Sequence, residues 1–201
     1  MSPRRAAALR NSQGAANLRE HLIATAERMI ATGADTLTVR AVAAEARVAD
    51  GVLYNYFADK EELLALALHA HVRTVEAGLG PLPEPGRGTL EENLRTHVTY
   101  GLALHRRCLP AFTRTLGQPK VLARFAAIDV PGQPWRDRLV EYLRAERDQG
   151  RLRADARVDA AAAMIVGVCH EVVLSVMFSV GEPPQPPDVD DLVTAVLHGL
   201  L

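Results

Sequence analysis

Arg40, Val52, Tyr54, Asn55 and Lys60 are residues whose types and spacing suit one kind of chemistry, recognition of a duplex nucleic acid. A guanidinium such as that of Arg40 can hold a phosphate or bond guanine O6 and N7 with its planar fork, and the Asn55 amide can pair with adenine N6 and N7. Val52 can touch a thymine methyl group, and Gly51 lets the backbone come close. Tyr54 and Lys60 suit phosphate oxygens, and the free amides of a helix starting at Lys60 add to that attraction.

Other chemistries are poorly supplied. His69 and His71 are two residues apart and diverge on a helix, His105 and Cys108 share a face but make only two ligands, and the adjacent Cys169 and His170 diverge, so no metal site is expected. No phosphate loop, nucleophile elbow or dinucleotide fingerprint is present. The chain therefore reads as a non-enzyme with no metal and no cofactor. Its two cysteines do not make a disulfide framework, which points to a reducing, cytoplasmic setting. The N-terminus has Arg4, Arg5 and Arg10 but no apolar core behind them, unlike a secretory signal, and no apolar run is expected to reach the ~18 residues of a membrane span.

The 201 residues are 48% hydrophobic and 23% charged, the balance of a folded chain, with net charge -1. Charge is unevenly spread: residues 1–60 hold eight Lys/Arg against six Asp/Glu, mostly through Arg4, Arg5, Arg10 and Arg19. Residues 1–17 are expected to form a flexible basic arm, either a solvated tail or an arm that follows a DNA backbone or enters its minor groove.

The elements that must position the polar residues read as helices throughout, about nine of them. Leu18, Leu22, Ala26 and Met29 share one helical face, which Gly33 ends. Thr38 caps a second helix to Ala46, with Leu37 and Val42 spaced as a hydrophobic staple. After a tight turn at Arg47-Val48, a third helix runs from Asp50 to Phe57, with Val48, Leu53 and Phe57 on its buried side. Asp59 and Glu62 are spaced as the capping box of a fourth. The pair of helices joined by a short turn is a helix-turn-helix, whose second member can enter a major groove. The segment Gly80–Gly88, rich in Pro and Gly, reads as a stiff connection between two parts of the protein. Further helices are expected over roughly 90–107, 110–116, 119–128, 134–149, 157–180 and 188–200.

Leu37-Thr-Val-Arg-Ala-Val-Ala, then Gly51-Val-Leu-Tyr-Asn-Tyr-Phe, then Asp59-Lys-Glu-Glu-Leu-Leu64 resemble, in that order, the DNA-binding domain of the TetR family. The resemblance covers residues 18–70. It implies an all-α chain with a three-helix DNA-binding domain (18–60) and a C-terminal helical ligand-binding and dimerisation domain (61–201). It places Thr38, Arg40, Tyr54 and Lys60 on DNA-contacting positions, and Asp50, Gly51, Val52, Asn55 and Tyr56 on the recognition helix. The implied protein is a homodimeric repressor that leaves a pseudo-palindromic operator when a small, largely apolar molecule binds. Two departures stand out: Arg47 replaces the usual turn glycine, and Ala49 replaces a capping serine or threonine, leaving Asp50 as a substitute cap. They motivate an alternative, a helical small-molecule-binding protein with little specific DNA binding.

In the body, His97, Tyr100, Leu104 and Cys108 follow one helical face and, with Phe112, Trp135, Met164, Val168 and Glu171, are the expected ligand-binding residues. Ile165, Cys169, Val173 and Val176, with Val189, Val193, Val196, Leu197 and Leu200, are the expected dimer interface, an isologous bundle of two helices from each subunit.

Overall fold

The computed structural model describes residues 3–34, 37–129, 132–178, 185 and 187–200, with side chains from Gly14 onward. Among these residues all regular structure is helical. It comprises α1 (Pro3–Ala31), α2 (Val39–Glu45), a 3-10 helix (Asp50–Asn55), α3 (Lys60–Ala77), α4 (Leu90–Arg114), α5 (Pro119–Ala127), α6 (Trp135–Asp148), α7 (Val158–Phe178) and α8 (Val189–His198). The expected all-α class and helix number agree with this. Residues 3–17, expected as a flexible arm, are helical backbone continuous with the rest of α1.

The chain forms two compact units, Met1–Thr74 with Pro110–Val130, and Val75–Leu109 with Pro131–Leu201. The first extends beyond Lys60 and takes in α5. Gly80–Gly88 lies wholly within the second unit instead of joining the two. The buried Glu146 carboxylate accepts the Gly86 N–H at 3.1 Å, and Arg151 donates to the Gly88 carbonyl at 2.7 Å, so this segment is fastened to the end of α6.

In the first unit α1 supplies Leu22, Ala26 and Ile30 to a core completed by Val42, Ala43, Leu53, Phe57, Leu63, Leu64 and Leu68. Gly33 ends α1 at φ 74, with the Ala34 N–H reaching back to the Met29 carbonyl at 2.9 Å, the geometry in which glycine is strongly favoured at a helix C-terminus. From α4 and α5 come Ala111 and Val121, with Phe112 and Phe125 partly buried against the same core.

The second unit packs α6 on α7 and holds α4 and α8 by side-chain contacts. His97 of α4 meets Tyr142 of α6 at 4.5 Å between ring centroids. Arg144 and Asp159 join α6 to α7 at 2.8 Å, and Arg95 joins α4 to Asp190 of α8 at 2.5 Å. Two expectations differ from the structure. α4 is continuous through Pro110, where two helices were expected, and that proline falls where the chain passes from one unit to the other. α7 is long and apolar enough by composition to cross a membrane, its best window having a mean hydropathy of 2.0, contrary to the expectation that no run reaches that length. Its Val158, Ala161, Ala162, Ile165, Cys169, Val172 and Val173 are buried inside the unit, although only 33% of that apolar window is buried in all. The expected continuation to Val180 lies outside the described residues.

Candidate nucleic-acid interface

The helix-turn-helix is assembled as its side chains dictate. The Thr38 hydroxyl accepts the Ala41 N–H at 3.1 Å and so starts α2, which buries Val42 and Ala43. The chain then reverses within four residues, with the Val48 N–H bonded to the Ala43 carbonyl at 2.9 Å. That reversal places Arg47 at φ 60, a left-handed conformation that favours glycine. Replacing Arg47 by glycine is expected to stabilise the protein by about 1 kcal/mol, read as a raised thermal midpoint. An unchanged or lowered midpoint would show that the arginine side chain compensates for its backbone.

The next segment departs from expectation. Instead of an α-helix from Asp50 to Phe57, Asp50–Asn55 is a 3-10 helix with i to i+3 bonds such as Val52 N–H to the Ala49 carbonyl at 2.9 Å. Ala49 gives no side-chain cap, and Asp50 does not replace it: its carboxylate faces Arg40 of α2 at 3.9 Å. A short, uncapped helix satisfies its end groups by tightening. Leu53 and Phe57 still anchor it, at 2% and 4% exposure.

All nine predicted contact residues are accessible. Thr38, Arg40, Asp50, Gly51, Tyr54, Asn55 and Lys60 are exposed, while Val52 and Tyr56 are half-buried, Tyr56 against the core. Asp59 caps α3 by accepting the Glu62 N–H at 2.7 Å, and Glu62 returns a bond to the Ala58 N–H at 2.7 Å. The first-turn amides of α3 are thereby ordered beside Lys60. This is a surface with a planar cation, amide, hydroxyl and ammonium groups on a rigid helical base, suited to phosphates and base edges.

Residues 22–67 match the family described as bacterial regulatory proteins of the tetR family, and residues 94–201 match the AefR-like transcriptional repressor C-terminal domain. The chain belongs to the TetR family. It is a DNA-binding transcriptional regulator of that family, and the second match covers more than half of its length. No curated protein matches it. Solved structures similar to it include a TetR-family transcriptional regulator from Mesorhizobium loti, at 14% identity and TM-score 0.67, covering 92% of this chain and 95% of that one. A transcriptional regulator from Saccharomonospora viridis in complex with choline is 19% identical at TM-score 0.60, covering 90% and 94%. The transcriptional regulator FadR from Bacillus subtilis, in complex with stearoyl-CoA, is 21% identical at TM-score 0.53, covering 89% and 95%. At these identities the likeness is one of fold.

The body of this TetR-family chain sorts its candidate residues differently from the expectation. His97, Tyr100, Leu104, Cys108 and Trp135 are buried. Phe112 belongs to the first unit and stands edge-on to Phe125 at 5.0 Å. Met164 and Glu171 are exposed on the outer face of α7, with Val168 half-buried beside them, so they do not join that buried group. Conversely Ile165, Cys169, Val173, Val193, Val196, Leu197 and Leu200, expected between subunits, are buried inside their own chain. Val176 is 56% exposed and Val189 half-buried. The reason is rotational. α7 is apolar nearly all round, so composition could not say which stripe meets the chain's own core.

Two further residues, Arg138 and Tyr142, enter the buried group from α6. Arg138 donates to the Tyr100 hydroxyl at 3.2 Å and pairs with Glu76. Among the described residues, both ring nitrogens of His97, the Trp135 Nε1 and the Arg138 Nε have no hydrogen-bond partner. Burial, with the nearby Arg138 charge, pulls His97 down to about 4, so the ring is neutral at pH 7. Burial likewise pushes the Cys108 and Cys169 thiols up to about 12, which makes both poor nucleophiles and metal ligands. Sequence gave no signal for Arg138 or Tyr142, because their proximity to His97 comes from the pairing of α4 with α6.

Proposed function

We propose that this TetR-family regulator is a homodimeric cytoplasmic repressor that binds a pseudo-palindromic operator and releases it when a small, largely apolar molecule enters the body. In this reading residues 18–60 form the DNA-binding head, 61–201 the ligand-binding and dimerisation body, and 1–17 a basic extension. The observation that carries the DNA reading is that none of the nine predicted contact residues is buried, while the residues between them anchor the scaffold. Arg40 and Asn55 read base edges, and Tyr54, Lys60 and the Thr38 hydroxyl hold phosphates.

The effector reading rests on the buried group around His97. Polar atoms without partners in an apolar interior are costly unless something satisfies them. Proteins of similar fold in complex with choline and with stearoyl-CoA support a small-molecule ligand for this one. A ligand favouring one spacing of the two heads would then change DNA affinity by its differential affinity for the two states.

The dimer reading rests on the outer face of α7. Met164, Val176 and Phe178 are 58%, 56% and 75% exposed. Met164, Gly167 and Val168 line a groove of 720 Å³ with Leu192 and Ala195 of α8. Exposed apolar surface of this kind is normally covered, and an isologous contact between two copies covers it on both.

Selection from a random duplex library, followed by binding titrations over a salt series, tests the DNA reading. An enriched palindromic site and a steep salt dependence are expected. Arg40→Ala should lower affinity for that site roughly tenfold or more and relax the preferred base at one position of each half-site. Failure to enrich any sequence would favour the alternative, a small-molecule-binding protein with little specific DNA binding, for which Arg47, Ala49 and Asp50 argue.

A further inference from the structure

α5 comes after α4 in sequence, far from the helix-turn-helix, yet it is built into the first unit. Phe125 stacks on His69 of α3 at 3.9 Å between ring centroids and 11° between planes. The Phe125 carbonyl bonds His69 Nε2 at 2.9 Å, and Val121 is fully buried. This fixes α5 along α3 and brings the preceding residue, Arg124, to the start of that helix. There the Arg124 guanidinium donates to Asp59 Oδ2 at 2.7 Å.

Asp59 is the hub of a chain of contacts. Its other oxygen caps α3 at the Glu62 N–H. Glu62 in turn holds the Ala58 N–H and accepts from Arg19 of α1 at 3.1 Å. The Arg19 guanidinium lies over the Phe57 ring at 5.2 Å from its centroid. One strap of charged groups thus runs from α5 through the cap of α3 to α1 and to Phe57, which anchors the end of the recognition segment. Lys60, a proposed phosphate ligand, is the next residue after Asp59. A bare carboxylate at that position would repel the phosphates that Lys60 attracts. The Glu62 amide and Arg124 both hold the Asp59 carboxyl below its ordinary range.

A surface ion pair contributes little to stability, and Arg124 and Asp59 are each about two-fifths exposed. Its consequence lies in placement and charge. We propose that Arg124 is a positioning residue for operator binding: through Asp59 it fixes the start of α3, and with it Lys60, and it neutralises the acid beside Lys60. This rests on the DNA-binding reading above.

The test uses the full-length protein and a fluorescein-labelled duplex carrying the library-selected site, with affinity read by anisotropy over a salt series. Arg124→Gln should weaken binding roughly three- to tenfold, and as Lys60 is displaced from its phosphate the slope of log affinity against log salt becomes shallower by no more than about one. Arg124→Lys should restore most of the affinity, since the observed bond uses one guanidinium nitrogen. In an Asp59→Asn background, where the side chain still caps α3 but carries no charge, Arg124→Gln should change affinity less than about twofold. A slope shallower by about one for Arg124→Gln in the Asp59→Asn background would make Arg124 itself a phosphate ligand and overturn the proposal. So would an unchanged affinity, an equal loss in both backgrounds, or a loss that lysine does not relieve. Wild-type protein that binds no selected duplex would overturn the DNA reading and this inference together. Normal wild-type binding with an indifferent Arg124→Gln would overturn this inference alone.

Discussion

Gly167→Arg is expected to give a folded monomer whose operator affinity is lower by about 100-fold or more. Nothing lies within 4 Å of where a Cβ at Gly167 would stand, and the residue is exposed, so the protomer accepts a side chain there. A second copy packed on Met164, Gly167 and Val168 would not, because an arginine on each side of a two-fold axis meets its own counterpart. Losing the dimer turns two linked half-site contacts into separate ones and removes an effective concentration in the range of mM. Light scattering at micromolar concentration gives the mass, anisotropy gives the affinity, and circular dichroism checks the fold. A variant that stays dimeric would remove the outer face of α7 from the interface. A monomer with undiminished affinity would overturn the two-headed mode of binding.

Gly101→Ala should destabilise the body by roughly 3 kcal/mol or more, a large effect for one methyl group. A Cβ on this residue of α4 would stand 2.2 Å from Trp135 Cη2 and 2.3 Å from Cζ2, inside the van der Waals contact of an indole that is 3% exposed. The ring cannot retreat freely, since it also stands edge-on to His105 at 5.5 Å. Trp135 is the single tryptophan of the chain, so its fluorescence reports this contact directly. Thermal unfolding followed by that signal should show a lowered midpoint and a red-shifted native spectrum. Trp135→Leu should recover part of the loss when combined with Gly101→Ala, because it removes both the clash and a buried Nε1 without a partner. An unchanged midpoint in Gly101→Ala would mean that α4 and α6 do not approach this closely in solution.

Both effects depend on geometry that residue spacing does not record. The head was far more legible. Thr38 as a cap, the Asp59–Glu62 box, the glycine that ends α1 and the buried pair Leu53 and Phe57 depend on neighbours within a few residues, and the structure has them as read. Arg47 shows the same locality, since a four-residue reversal demands a left-handed residue whatever its side chain. The misreading in the head was the recognition segment. Its length and apolar spacing are helical, but the energetic consequence of an uncapped start at Ala49 shows only once the 3-10 bonds are seen.

In the body the sequence supplied helices without their rotations. Pro110 looked like a break because proline costs a helix about 3 kcal/mol, yet α4 continues through it. On α7 the stripe assigned to a partner faces the chain's own core, and the stripe assigned to a ligand faces outward. A helix apolar on every side has no amphipathic signal to set its rotation, so only packing against α6 decides.

The polar residues at 38–60 and their exposure were thus determined by sequence alone, because local hydrogen bonds and one alternation of buried and exposed positions suffice to set them. Tertiary structure decided what surrounds them. It brought Arg124 to Asp59 across 65 positions of chain, set His97 against Tyr142 and Arg138, and chose the face of α7 left bare. Each of these is a meeting of helices distant in sequence, fixed by how their side chains interlock, and no spacing within one segment encodes it.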